Sequence, residues 1–328
     1  MAARPGAEAC VQEAGSLVYA LRLRSPDRRG TSGRSIMTFR ENANIGSGRA
    51  SRAGGGGKVA VGGGLGALVL ALVVMLLGGD PGQVLGQQEQ QEPQAQNVDL
   101  AECRTGADAN ADVDCRMKAT MVSLEDYWTA VLPDAEPTTA ILFSGSVQTQ
   151  CGSASSAVGP FYCPLDRRIY LDTGFFDQLQ GQLGADGGSF SQMYVLAHEY
   201  GHHVQNWTGA LQYSQQDPRG PESGAVRVEL QADCFAGAWA GNATRTEDDE
   251  GNALLEELTR EDVESALSAA SAVGDDSIQE RVQGQVTPHT WSHGSSEQRM
   301  GWFMRGYESG DANRCDTLNA GSVDDYEG

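Results

Sequence analysis

Apolar positions recur along this chain with different rhythms, and each rhythm predicts a different element. Between Val113 and Val131 they return every three or four residues, at Met117, Met121, Leu124 and Trp128, which predicts an amphipathic helix. Thr139–Val147 and Arg168–Asp172 are short and rich in β-branched and aromatic residues, so strands are predicted there. Phe175–Leu183 reads as a short helix. From Ser189 a helical stripe runs through Phe190, Met193, Tyr194, Ala197, Gly201 and Val204, with Ser189 and Gln192 spaced as a capping box. Further helices are predicted from about Gly224 to Ala240, from Thr259 (TRED, a second capping pattern), and after Ser295 through Met300, Phe303 and Met304. Helices outnumber strands, so the expected class is α+β, mostly helical with a small sheet. Tyr127, Trp128 and Trp239 are expected in its core.

One stretch has no polar face at all. Val59–Leu77 (VAVGGGLGALVLALVVMLL) is uncharged and, as a helix, long enough to cross a hydrocarbon layer of about 30 Å. Charge changes sign across it: residues 1–58 carry ten basic and four acidic side chains, whereas the part beyond residue 79 carries thirteen and forty. With Arg49, Arg52 and Lys58 before the run, the positive-inside rule predicts a single-pass anchor with a cytoplasmic N-terminus and everything after residue 79 outside. The expected organisation is therefore a disordered basic cytoplasmic segment (1–58), a transmembrane helix (59–79), a Gln-rich linker (80–98), a folded domain (99–318) and an acidic tail (319–328). So acidic a body excludes nucleic acid as a partner, because phosphate would be repelled. Six cysteines, Cys103, Cys115, Cys151, Cys163, Cys234 and Cys315, fall on the outer side, an even set that suggests disulfides in an oxidising compartment. Fifteen pairings are open, and local closure favours Cys103–Cys115 and Cys151–Cys163, leaving Cys234–Cys315.

The chemistry is concentrated in the stripe that begins at Ser189. His198-Glu199-Tyr200-Gly201-His202 is an H-E-x-x-H pattern. Residues four apart share a helix face, so His198 and His202 can reach one zinc ion, while Glu199, turned by about 100°, stands beside it as a general base. Glu229 follows His202 by 27 residues on another predicted helix and would complete a His2Glu set, the three-ligand type that keeps an open position for catalysis. Asp233, one turn after Glu229, is placed to accept the outer N–H of a ligand histidine. His203 points away from that face and is expected to be no ligand. His293 is a candidate donor to a developing oxyanion. Arg299 is expected to hold its segment by an ion pair, and His289 is a weaker candidate.

HEYGHHVQ (198–205), ELQADCFAGAWAG (229–241) and HGSSEQRMGWF (293–303), with the opening MTFRENA (37–43), closely resemble the bacterial neutral zinc metallopeptidase family within the gluzincin group. The likeness covers most of residues 37–315. It implies a zincin-like metallopeptidase domain, one catalytic Zn2+ held by His198, His202 and Glu229, Glu199 as the base, and residues 1–36 as an upstream extension. His293-Gly294 stands where some membrane-associated zinc peptidases have His-Pro.

Two functional classes follow. The leading one is a membrane-anchored, extracytoplasmic zinc peptidase acting on peptide or protein substrates, with a strand edge in 139–172 available to an extended substrate. The other is a zinc-stabilised extracytoplasmic binding or scaffold protein without significant turnover. Glu199 separates them, since a structural zinc site is closed by four ligands and has no use for a base. Neither the substrate nor the oligomeric state is written in the pattern.

Overall fold

The computed structural model describes residues 38–53 and 98–327. A first segment, which includes β1 (Ala50–Arg52), leads by way of 54–97 to β2 (Val98–Asp99). Then come α1 (Gly106–Ala111) and the long α2 (Val113–Val131), whose N-cap Asp112 accepts from the Cys115 N–H. β3 (Thr139–Phe143) is followed by a small antiparallel hairpin, β4 (Ser146–Thr149) and β5 (Gly152–Ser155), then β6 (Phe161–Cys163) and β7 (Arg168–Asp172). The rest is helical: α3 (Phe175–Gly181), α4 (Ser189–Thr208), α5 (Tyr213–Gln216), α6 (Gly224–Ala240), α7 (Arg260–Ala272), α8 (Asp275–Gln283) and α9 (Ser296–Ser309). The class is α+β, about half helical.

The five-stranded sheet has the order β2-β1-β3-β7-β6, with β1, β3 and β7 parallel and the two edge strands antiparallel to their neighbours. Residues 140–143 of β3 are all buried, as in a sheet covered on both faces. Of the covering elements, α2 packs on β1 and β3 and α4 on β6 and β7; α4 also touches α2, α6 and α7, so it lies at the centre of the fold. Three disulfides, Cys103–Cys115, Cys151–Cys163 and Cys234–Cys315, join the six cysteines beyond residue 98.

Several expectations change. Residues 38–53 are not a disordered leader: Phe39 and Ile45 are fully buried, and Ser51 pairs with both Asp99 and Ile141. Residues 39–45 are seated against residues 254–255 and 104–106, with Arg40 N–H bonded to the Leu254 carbonyl, Ile45 N–H to the Arg104 carbonyl and Phe39 paired with Leu255. The acidic tail is also folded: Val323 is fully buried, and its carbonyl accepts from Trp302 Nε1 at 2.7 Å. The strand expected over 139–147 is cut at Gly145, whose positive φ of 84° turns the chain into the hairpin. Ser189 does not cap α4. Gly188 is the N-cap, and Gln192 faces inward to accept from Arg116 at 2.7 Å. The expected transmembrane helix (59–79) and most of the linker lie outside the described residues; among those described, no helix is long and apolar enough to cross a membrane.

Candidate metal centre

Two helices make the site, and a glycine lets them meet. A Cβ on Gly201 of α4 would lie 3.0 Å from the Ala232 Cα of α6, so the bare backbone permits a close crossing at this point. Across it, His198 and His202 of α4 face Glu229 of α6. His198 Nε2 is 3.2 Å from Glu229 Oε2, and His202 Nε2 is 3.5 Å from Oε1. One donor atom from each of the three residues lies within 4.8 Å of the other two.

The remaining ring nitrogens are engaged behind the site. His198 Nδ1 is 2.8 Å from Asp233 Oδ1, and His202 Nδ1 is 2.8 Å from Gln205 Oε1. Each therefore directs Nε2 towards the shared centre. A carboxylate facing two imidazole nitrogens needs positive charge between them. Burial works against charging His198, yet Asp233 and the hydrogen bond to Glu229 raise its pKa to about 10. Burial would raise Glu229, but His202 and His198 hold it well below the usual carboxylate range. Two nitrogens and a carboxylate around a centre that demands a cation are the donor set of a catalytic zinc.

Asp233 is fully buried and fully occupied. Arg299 of α9 donates to it twice, from Nε to Oδ2 at 2.8 Å and from Nη2 to Oδ1 at 3.0 Å, and Tyr194 donates at 2.5 Å. This bidentate pair is the ion pair expected for Arg299. It is possible because α9 crosses α6 at backbone distance: a Cβ on Gly237 would lie 2.0 Å from the Phe303 carbonyl oxygen, and one on Gly306 2.0 Å from that of Cys234.

Glu199 is buried, and among the described residues its side chain makes no hydrogen bond or ion pair. Burial raises its pKa, and His202 and His198 oppose the rise, which places it in the same electrostatic cluster as the three donors. His293 approaches from the loop before α9. Its Nδ1 is 3.2 Å from Asp275 Oδ1, while Asp275 Oδ2 accepts the backbone N–H groups of Ser292, His293 and Gly294. Burial disfavours the charged ring, but Asp275 and Glu229 raise its pKa, so His293 lies within electrostatic reach of the donors. His203 lies elsewhere, between the Glu136 carbonyl and Tyr162. His289 is exposed on a 3-10 turn. Gln205, Tyr194 and Asp275 were not anticipated from sequence. Tyr194 and Gln205 do carry a signal, standing four residues before His198 and three after His202 on the helix face that bears the ligands.

A family model described as "Putative neutral zinc metallopeptidase" matches residues 34–318. An uncharacterized protein of Mycobacterium tuberculosis is 51% identical over 252 residues, 76% of this chain and 86% of that protein. An uncharacterized protein of Escherichia coli, YpfJ, is 43% identical over 185 residues, 54% of this chain and 60% of that one. No solved structure matches.

Proposed function

The chain belongs to the neutral zinc metallopeptidase family, and on that footing we propose that it hydrolyses peptide bonds with Glu199 as general base. The observation that carries this reading is Glu199 itself, a buried carboxylate with no structural partner among the described residues, beside the three-donor cluster. A carboxylate whose pKa is raised by burial, next to a His2Glu donor set, is the arrangement a general base requires. A scaffold role would leave it unexplained.

His198, His202 and Glu229 would hold one zinc ion, with Asp233 and Gln205 orienting the two rings. A zinc ion bound there would polarise the scissile carbonyl and acidify water. Glu199 takes the proton from the attacking water and returns it to the leaving amine. His293, oriented through Nδ1 by Asp275, presents Nε2 as a donor to the carbonyl oxygen as negative charge develops on it. Substrates are peptides or proteins. The work is assigned to an oxidising compartment outside the cytoplasm, a reading the three disulfides support, and to a membrane if the apolar 59–77 run attaches the chain to one.

The test is zinc content and cleavage of a broad peptide library by the full chain, beside Glu199→Gln. Stoichiometric zinc in both, with cleavage reduced at least about 100-fold in the variant, is expected. Equal cleavage in the two proteins would remove Glu199 from the mechanism.

A further inference from the structure

The two histidines of the candidate site are held by unlike partners. His198 leans on a carboxylate, Asp233, itself neutralised by Arg299, whereas His202 leans on a neutral amide, Gln205. An amide can turn over and offer N–H in place of oxygen at almost no steric cost. A donor facing His202 would force the ring proton to Nε2, where it would block a metal. Something must therefore fix which way Gln205 faces.

The structure shows what does. Gln205 is fully buried, and its Nε2 donates to the Val228 carbonyl at 2.6 Å and to Gln231 Oε1 at 3.1 Å. Both N–H groups are committed, so only Oε1 can face His202. Gln231 is fixed in turn, because its own Nε2 donates to the Cys315 carbonyl at 2.9 Å. The bonds run from donor to acceptor in one direction, from His202 through Gln205 and Gln231 to Cys315. The line ends at a half-cystine: Cys315 is cross-linked to Cys234, one residue beyond Asp233 on α6. The carbonyl also accepts the Thr317 N–H at 3.0 Å, so without the cross-link it would be steadied by that bond, by its 3-10 turn and by the contacts of Thr317 with Arg227.

We propose that Gln205 and Gln231 are positioning residues that transmit the Cys234–Cys315 disulfide to His202, so that metal affinity at this site depends on that cross-link. The proposal rests on the zinc reading above. Gln205 keeps one independent anchor at Val228, so its loss is felt most. Losing Gln231 and losing the disulfide break the same line further out, so their effects are smaller and overlapping.

The experiment measures zinc affinity of the full chain by competition with a chromophoric chelator, alongside thermal unfolding of each sample. Gln205→Met is expected to weaken zinc about 10- to 100-fold. Gln205→Glu, which still accepts from His202 Nδ1 but loses both donors, is expected to recover part of that loss. A merely structural Gln205 would show no such rescue. Gln231→Met and Cys234→Ser with Cys315→Ser should each cost several-fold, and combining them should cost no more than the larger. Nitrogen NMR of the zinc-loaded native chain, with and without reductant, reads the His202 Nδ1–H signal and needs no variant to fold; faster exchange of that proton on reduction is expected. Unchanged affinity in folded Gln205→Met, equal losses for the Met and Glu variants, independent costs for Gln231 and the disulfide, or an Nδ1–H signal indifferent to reductant would each overturn the proposal. Native chain that binds no zinc, or binds it equally after His198→Ala, would instead overturn the metal reading beneath it.

Discussion

A buried aspartate ordinarily destabilises a fold, yet Asp233 is fully buried and receives hydrogen bonds from Arg299, Tyr194 and His198. Asp233→Asn keeps the shape but leaves the buried guanidinium without its counter-charge. It should cost about 3–5 kcal/mol of stability and weaken zinc about 10- to 100-fold, read by chemical unfolding and chelator competition. A half-buried carboxylate makes stability depend on pH. Burial raises Glu125 from 4.5 to about 7 against the pull of Arg49, whose Nε lies 3.0 Å away. The folded chain then binds a proton that the unfolded chain has already released. Its contribution is full below pH 4.5 and is lost as pH rises through about 7. Glu125→Gln should therefore flatten the fall in stability between those values, by on the order of 2 kcal/mol. The meeting of His198, His202 and Glu229 was legible in the sequence, because helix periodicity puts the two histidines on one face and a His2Glu donor set asks for a carboxylate from a neighbouring helix. Asp275 was not legible, since an aspartate at a helix start reads equally well as a cap, and only the fold brings it to His293.

Helix extents were well written wherever side chains cap their own ends. Thr259 with Asp262 forms the reciprocal box the pattern predicted, Ser295 with Gln298 forms another at the helix start expected there, and α2 and α6 begin and end where their apolar stripes do. The pattern misled where tertiary contacts claimed the capping residue, as at Gln192, and where a turn was folded into a strand, as at Gly145. How closely the helices pack was carried by glycines, a quieter signal than the histidines. Gly201 sets the α4–α6 crossing, and Gly237 and Gly306 set α6 against α9. Gly306→Ala would put a methyl group 2.0 Å from the Cys234 carbonyl oxygen, so α9 must move away from α6. Because α9 carries Arg299, the displacement should also loosen the Asp233 pair. A loss of about 1–3 kcal/mol is expected, together with weaker zinc binding. Alanine at Gly181, where a Cβ meets nothing within 4 Å, should leave zinc binding unchanged and serves as the control.

At the scale of the whole molecule, reading charge as topology used side chains that the fold uses otherwise. Arg49 and Arg52, two of the three basic residues flanking the apolar run, form ion pairs with Glu125 and Asp114 of α2. The segment bearing them supplies β1, which lies between β2 and β3. Only the pairing of distant segments reveals this, because a three-residue strand in an Arg- and Gly-rich stretch has no periodicity to detect. The consequence is topological. The chain leaves the sheet after Ala53 and rejoins it at Val98, opposite Arg52. Both flanks of the 59–77 run therefore belong to one folded body. A helix of that length that crossed a bilayer would put its ends on opposite sides. Residues 78–97, with Asp80, Glu89, Glu92 and two prolines, offer no second span to bring the chain back. The folded protein is thus predicted to hold residues 38–53 and 98–327 on the same side of any membrane it meets. In a Cys10→Ser background, Ser47→Cys and Glu280→Cys, both exposed positions, should react with an impermeant maleimide together, in sealed membrane vesicles of either orientation. Reaction of one before the vesicles are opened and of the other only afterwards would show that the first segment leaves the sheet when the chain enters the membrane. Zinc binding measured in those vesicles would then tell whether the site survives without β1.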